Sequence, residues 1–299
     1  MADTLPPLRE REFDTGEVRL HLVEAGPTTG RPVLLLHGFP EFWYGWRGQI
    51  GQLAAAGYRV VVPDQRGYNL SEKPDRIQEY RVDHLAADAA AIAEDAGGAV
   101  DLIGHDWGAA VAWHAAMRYP ARVRRLAILN VPHPAEMASA LRRSWGQRFR
   151  SWYILFFQIP WLPERLLGWK NAAGLACMLR SSGRPTGFSG ADLQRYREAW
   201  LQPGAIRGML SWYRAALRNS SETFLARQVQ VPTLILWGER DVALETSMAQ
   251  ASLKWCKDGR LVTFPRASHW VQHDEAQAVN RQLLEFMGPS RANQRSSAG

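Results

Sequence analysis

Three side chains far apart in the chain have the types and neighbours needed to attack carbon and then release it: Asp106, Asp241 and His269. Asp106 stands at the centre of Gly104-His105-Asp106-Trp107-Gly108, the spacing of a nucleophile elbow in which serine is the usual central residue. Serine attacks a planar carbonyl and needs a base to take its proton. A carboxylate is already ionised near neutral pH, so it displaces a leaving group from tetrahedral carbon unaided and becomes an ester. The carbonyl of that ester is the aspartate's own. Water activated by His269, with Asp241 orienting the imidazole, would cleave it. The competing reading is a plain strand-to-helix turn with Asp106 as a helix cap.

The chain around these residues supplies elements that would bring them together. The runs "RPVLLLHG", "YRVVVPD", "AVDLIGH" and "RRLAILN" read as buried strands, and "EVRLHLVEAG" alternates like an exposed one. Between them "QIGQLAAAG", "VDHLAADAAAIAEDAGG" and "GAAVAWHAAMRYP" read as helices, closed by glycine or stopped at Pro120. Strands separated by helices imply an α/β fold with a mostly parallel, doubly wound sheet. After "VPHPAEM" the rhythm stops, and residues 133–227 read as amphipathic helices. It resumes at "VPTLILWGERD" and ends with "GRLVTFP" and the helix "DEAQAVNRQLLEFM". The expected organisation is a core over 1–132 and 228–288, an inserted helical lid over 133–227, and a disordered tail over 289–299. Asp106, Asp241 and His269 then each follow a strand, at the carboxyl edge where ligands bind in such sheets.

"LLLHGFPEFWYGW" ends another strand at the same edge. The backbone N–H groups of Phe39 and Trp107 are the expected oxyanion hole, and Pro40 is placed for a cis peptide. Other candidates read more simply. His37 is expected to be a satisfied structural histidine and Asp64 a loop-ordering carboxylate. His105 should point away from Asp106, His273 should be a surface or capping residue, and Asn130 cannot ionise. His21, His84, His114 and His133 have no informative spacing.

Bulk properties narrow the class. The 299 residues carry a net charge of +7, and residues 133–227 hold fourteen Lys/Arg against five Asp/Glu. No nucleic-acid motif accompanies these scattered arginines, so they read as a solvated basic face. Cys177 and Cys256 have no metal or disulfide spacing, and no metal or organic cofactor is implied. With no apolar leader and no run of about 18 apolar residues, the expectation is a cytoplasmic protein without a membrane span, as monomer or homodimer. Several of the thirteen tryptophans fall between 145 and 212, which fits a hydrophobic pocket or core packing. Trp152, Phe156 and Trp161 could serve either way.

The leaving group separates the remaining readings. A halide leaves as a stable anion and needs N–H donors, whereas an epoxide oxygen leaves as an alkoxide and needs an acid. Tyrosine stays protonated at neutral pH and can donate. The insertion contains Tyr153 in "WYILFFQIP" and Tyr213 in "MLSWYRA", each of which alone reads equally as a core aromatic.

"HGFPEFWYGWR", "DQRGYNLSEKP", "GHDWGAAVAW" and "ASHWVQHDEA" resemble segments of the soluble epoxide hydrolases of the α/β-hydrolase fold, across nearly the whole chain. "YILFFQIP" and "SWYRAALRN" resemble that family's two lid segments, which implies that Tyr153 and Tyr213 activate the epoxide. The resemblance implies a cofactor-independent enzyme acting on a small epoxide to give a vicinal diol. One departure is Ile154, where some relatives carry Gln beside the tyrosine. Haloalkane dehalogenases share the elbow and form the alternative, with Trp107 as halide donor. They commonly show Asn where this chain has Phe39, and fluoroacetate dehalogenases place Arg where it has Trp107. A non-catalytic small-molecule binder is the third reading.

Overall fold

The runs of β-branched and leucine residues read as strands do form strands, because only a sheet buried on both faces accommodates such continuous apolar segments. A computed structural model describes residues 5–184, 187–218 and 227–290. Within them the strands are β1 (Arg9–Asp14), β2 (Arg19–Ala25), β3 (Arg31–Leu36), β4 (Tyr58–Pro63), β5 (Val100–His105), β6 (Val123–Leu129), β7 (Thr233–Gly238) and β8 (Gly259–Phe264). Among the described residues they form one sheet in the order β1-β2-β4-β3-β5-β6-β7-β8. Only the β1–β2 and β2–β4 pairings are antiparallel.

Helices α1 (Arg47–Ala55), α2 (Val82–Asp95) and α3 (Trp107–Arg118) connect the first strands. The insertion then supplies α4 (Pro134–Arg143), α5 (Trp145–Arg150), α6 (Trp152–Phe156), α7 (Leu162–Ser182), α8 (Gly190–Trp200) and α9 (Ala205–Arg218). The core closes with α10 (Ser247–Ser252), α11 (Val271–Asp274) and α12 (Ala276–Met287). α2 packs on α3, and α1 on α12, as expected when a sheet is covered on both faces. β3 and β5 run parallel with Leu36 opposite Gly104, and β5 and β6 with His105 opposite Leu129. The residues that follow these strands therefore emerge side by side at the carboxyl edge.

In the strands and at the C-terminal end the structure corrects the sequence reading. β1 was not anticipated: its charged residues suit an edge strand, and it covers β2, which is buried from Leu20 to Ala25 rather than exposed. The polar residues of β2 are satisfied internally. Arg59 grips the Glu24 carboxylate with two hydrogen bonds of 3.0 Å, and His21 pairs with Asp64 at 2.8 Å. The expectation of a disordered tail over 289–299 does not hold at Ser290, which is buried and whose hydroxyl donates to the Gly57 carbonyl at 2.7 Å. Residues 291–299 lie outside those described.

Candidate active site

Every residue of β5 is buried, and the strand stops at His105 because Asp106 turns sharply, with φ 50° and ψ −125°. A non-glycine residue held at positive φ is strained, and such strain persists only where the surroundings impose it. Here α3 begins immediately, with Ala109 and Ala110 N–H bonded to the Asp106 carbonyl at 2.9 and 3.1 Å. Gly108 is required by close approach, since a Cβ there would fall on the carbonyl oxygens of Leu36 and His37. The turn presents the Asp106 carboxylate beside the end of β3. There Phe39 N–H donates to Oδ1 at 2.7 Å, and the Phe39–Pro40 peptide is cis. Trp107 is the first residue of α3, so its N–H is one of those a helix leaves unpaired.

His269, after β8, places Nε2 at 3.3 Å from Asp106 Oδ2 and Nδ1 at 2.7 Å from Asp241 Oδ2. Asp241, after β7, has both oxygens occupied. Oδ1 accepts Ala243 N–H at 2.7 Å and Leu244 N–H at 3.0 Å, and Oδ2 also accepts the Asn130 amide at 2.8 Å. A carboxylate held this way fixes the proton on Nδ1 and turns Nε2 toward Asp106. Burial alone would lower the proton affinity of His269, but the two flanking carboxylates outweigh it and raise the group. Burial likewise opposes ionisation of Asp106, yet its bond to His269 holds the carboxyl below its ordinary range.

Tyr153 on α6 and Tyr213 on α9 line a cavity of about 140 Å³ together with Asp106. The tyrosine rings meet edge to face at 5.9 Å between centroids, and Tyr213 packs on Trp107 at 5.0 Å and Phe39 at 5.2 Å. Burial, followed by the charge of Asp106, drives Tyr153 above the ordinary phenol range. Burial and then neighbouring Tyr153 and Asp106 do the same to Tyr213. Both hydroxyls thus keep their protons at any ordinary pH. Ile154 gives Tyr153 no polar side-chain support, but Gln158 bridges the two helices by donating to the carbonyls of Ile154 at 3.0 Å and Tyr213 at 3.1 Å. Arg214 adds bonds to the Phe157 carbonyl at 3.0 Å and the Ile159 carbonyl at 2.9 Å.

Two further spaces adjoin the reactive centre. One of about 460 Å³ touches Asp106, His269, both tyrosines, Phe149 and Trp152. The other, about 640 Å³, runs from Trp107 and Ile154 along α4 to Trp255. Trp152 thus lines a cavity, as one of its two readings had it. Trp161 is exposed rather than part of the core.

Of the other candidates, His37 accepts Gln65 N–H at 3.0 Å, and Asp64 accepts Trp43 N–H at 3.1 Å and the Asn69 amide at 2.7 Å, which are ordering roles. His105 faces away from Asp106 and bonds to the His269 carbonyl at 2.9 Å. His273 is not a surface residue. Its side chain is buried, with Nε2 at 2.7 Å from Glu41 Oε1 and its ring edge-on to Phe188 of the insertion. Glu41 went unremarked in the sequence, although it follows Pro40 directly. Its buried carboxylate also accepts Tyr196 O–H at 2.5 Å and the Gln272 amide at 3.0 Å, and Gln272 donates to His105 Nδ1 at 3.0 Å. Burial opposes the Glu41 charge, but His273 and His105 hold the carboxyl well below its usual range. Tyr196 and Trp200, whose indole donates to the Pro40 carbonyl at 2.5 Å, fasten α8 to this loop. Among the described residues no His/Cys/Asp/Glu group is arranged to hold a metal ion.

A model of the α/β hydrolase fold family matches residues 31–276. Human epoxide hydrolase 4 is 38% identical over 282 residues, an alignment covering 92% of this chain and 76% of that protein. The chain belongs to the epoxide hydrolases of the α/β-hydrolase fold. This family member is also 42% identical to the AB hydrolase superfamily protein YfhM of Bacillus subtilis, over 92% of this chain and 96% of that one. Its fold is similar to the Bacillus megaterium epoxide hydrolase solved with an inhibitor, at a TM-score of 0.86 and 30% identity, covering 93% of this chain and 99% of the other. It is accordingly a hydrolase, and no helix among its described residues is long and apolar enough to cross a membrane.

Proposed function

We propose that the chain converts a small epoxide and water to a vicinal diol through an ester on Asp106, without a cofactor. The observation that carries this reading is one cavity lined by the Asp106 carboxylate and by two tyrosine side chains. Asp106 Oδ2 attacks an epoxide carbon while Oδ1 stays on Phe39 N–H. The carbon–oxygen bond breaks, its electron pair goes to oxygen, and Tyr153 or Tyr213 supplies the proton, becoming a tyrosinate.

Ester formation removes the charge of Asp106 and with it one of the two carboxylates that hold the proton on His269. The imidazolium proton then restores the tyrosine and leaves a neutral base. His269 takes a proton from water, hydroxide adds to the Asp106 carbonyl carbon, and Phe39 and Trp107 N–H receive the oxyanion. Collapse expels the alcohol oxygen, which takes the proton from the His269 imidazolium, and the acid proton of Asp106 then passes to the neutral His269. Epoxide plus water gives diol, and every side chain is restored.

In this reading residues 133–227 are a lid that completes the site over the core, and the enzyme works in the cytoplasm. A parallel assay of small epoxides and haloalkanes, scoring diol and halide, tests it. Diol alone is expected. Halide alone would assign the site to dehalogenation, and saturable binding without either product would make it a binding protein.

A further inference from the structure

The segment from Trp145 to Trp161 buries Phe157 and packs Tyr153, Ile154 and Phe156 on the core, yet it leaves a second set of large apolar side chains facing outward. On α5 and at its junction with α6 the buried positions include Gln147 and Ser151, whose side chains bond each other at 3.0 Å, and Gln147 also donates to the Ala243 carbonyl at 2.9 Å. Arg150 donates to the Asp241 carbonyl at 2.8 Å. The outward positions are Trp145 and Phe149, four apart on α5, and Trp152 and Leu155, three apart on α6, with Ile159 and Trp161 following. These six are between 42% and 75% exposed. Soluble helices normally bury the apolar stripe and show the polar one. So many exposed tryptophan, phenylalanine and leucine side chains within seventeen residues mark an interaction surface.

The charge around this row names the partner. From residue 137 to 191 the chain holds eight Lys/Arg and one acid, Glu164, which Arg214 engages at 2.6 Å, and Glu245, an acid that reaches α5 from the core side, accepts the Ser144 hydroxyl at 2.8 Å. A second copy docked on this face by two-fold symmetry would set arginine against arginine. An anionic phospholipid surface answers both features, with headgroups for Arg148, Arg165 and Lys170 and hydrocarbon for the aromatic and leucine side chains. Phe149 and Trp152 belong both to the exposed row and to the wall of the 460 Å³ cavity. We propose that the outer face of the insertion docks on anionic membrane surfaces, with the cavity mouth turned toward the lipid. This holds whether or not the epoxide reading does.

The test is co-sedimentation of the full chain with vesicles of phosphatidylcholine, alone or mixed with phosphatidylserine. The mixed vesicles are expected to bind at least about tenfold more strongly, with the difference lost in high salt. The variant W145S/L155S/W161S, which leaves the cavity-lining Phe149 and Trp152 in place, should bind at least about tenfold more weakly than the parent and turn over a water-soluble substrate unchanged. Circular dichroism checks its fold. If it misfolds, quenching of the parent's tryptophan fluorescence by vesicles with brominated acyl chains decides, and quenching is expected. Absence of binding to either vesicle, equal binding to both, or full binding by a folded variant overturns the proposal. So does a parent that elutes as a dimer, ignores vesicles and becomes monomeric in the variant, since that face would then join two copies.

Discussion

Replacing Tyr153 and Tyr213 by phenylalanine, singly and together, probes the step that separates epoxide opening from other uses of an aspartate elbow. Each substitution removes one hydroxyl while keeping the ring that packs on its partner at 5.9 Å and, for Tyr213, on Trp107 at 5.0 Å. The folded state should therefore change little. A hydrogen bond to a charged group contributes about 1.5–3 kcal/mol, so losing one donor should slow alkylation of Asp106 about ten- to 150-fold. Losing both donors to the same oxygen should cost about 10²- to 10⁴-fold, because no other acid replaces them. Rapid-mixing measurement of the alkylation phase reads this directly, with thermal unfolding as the control for fold. A double variant within about tenfold of the parent would refute the role of the pair. One tyrosine carrying the whole effect would refute the sharing between them.

Glu41→Gln removes the charge that His273, Gln272 and Tyr196 are built around, and breaking a buried charged cluster of this kind should destabilise the fold by about 3 kcal/mol in urea unfolding; a change under about 0.5 kcal/mol would show the cluster to be dispensable. Stability should also depend on pH through His269. Against the opposing effect of burial, its two carboxylates raise it from 6.5 to about 10, so the folded state binds the proton more tightly than the unfolded one. That contribution is complete below pH 6.5 and fades as pH rises toward about 10. The unfolding midpoint should fall across this window, and His269→Gln should flatten the slope. An identical slope in the variant would contradict the ion-pair geometry.

The parts of the site that were legible share a cause. Asp106, Asp241 and His269 each follow a short apolar strand, and residues in that position converge whatever their distance in sequence. The same logic located Phe39. Glu41 lay in plain sight after Pro40, but its partners Tyr196 and His273 are 155 and 232 residues away, and no local pattern announces that meeting. β1 was hidden because an edge strand with one wet face can be almost wholly charged. Three tryptophans of the insertion misled in a different way, while Trp200 and Trp212 are core and Trp152 lines a cavity. Residue type suggested pocket or core, whereas Trp145, Trp161 and Trp169 are exposed. The inward positions of α5 are claimed instead by polar contacts to the loop after β7, which only the folded chain supplies.

The central claim is that Asp106 itself becomes an ester which His269 then releases. The most direct measurement is mass spectrometry of the Asp106 peptide from His269→Gln after mixing with an epoxide and acid quench. The account predicts a peptide heavier by the mass of one epoxide, at near one equivalent per chain, and none in Asp106→Asn/His269→Gln. An unmodified Asp106 peptide under conditions where the parent makes diol would contradict it and point to direct attack by water.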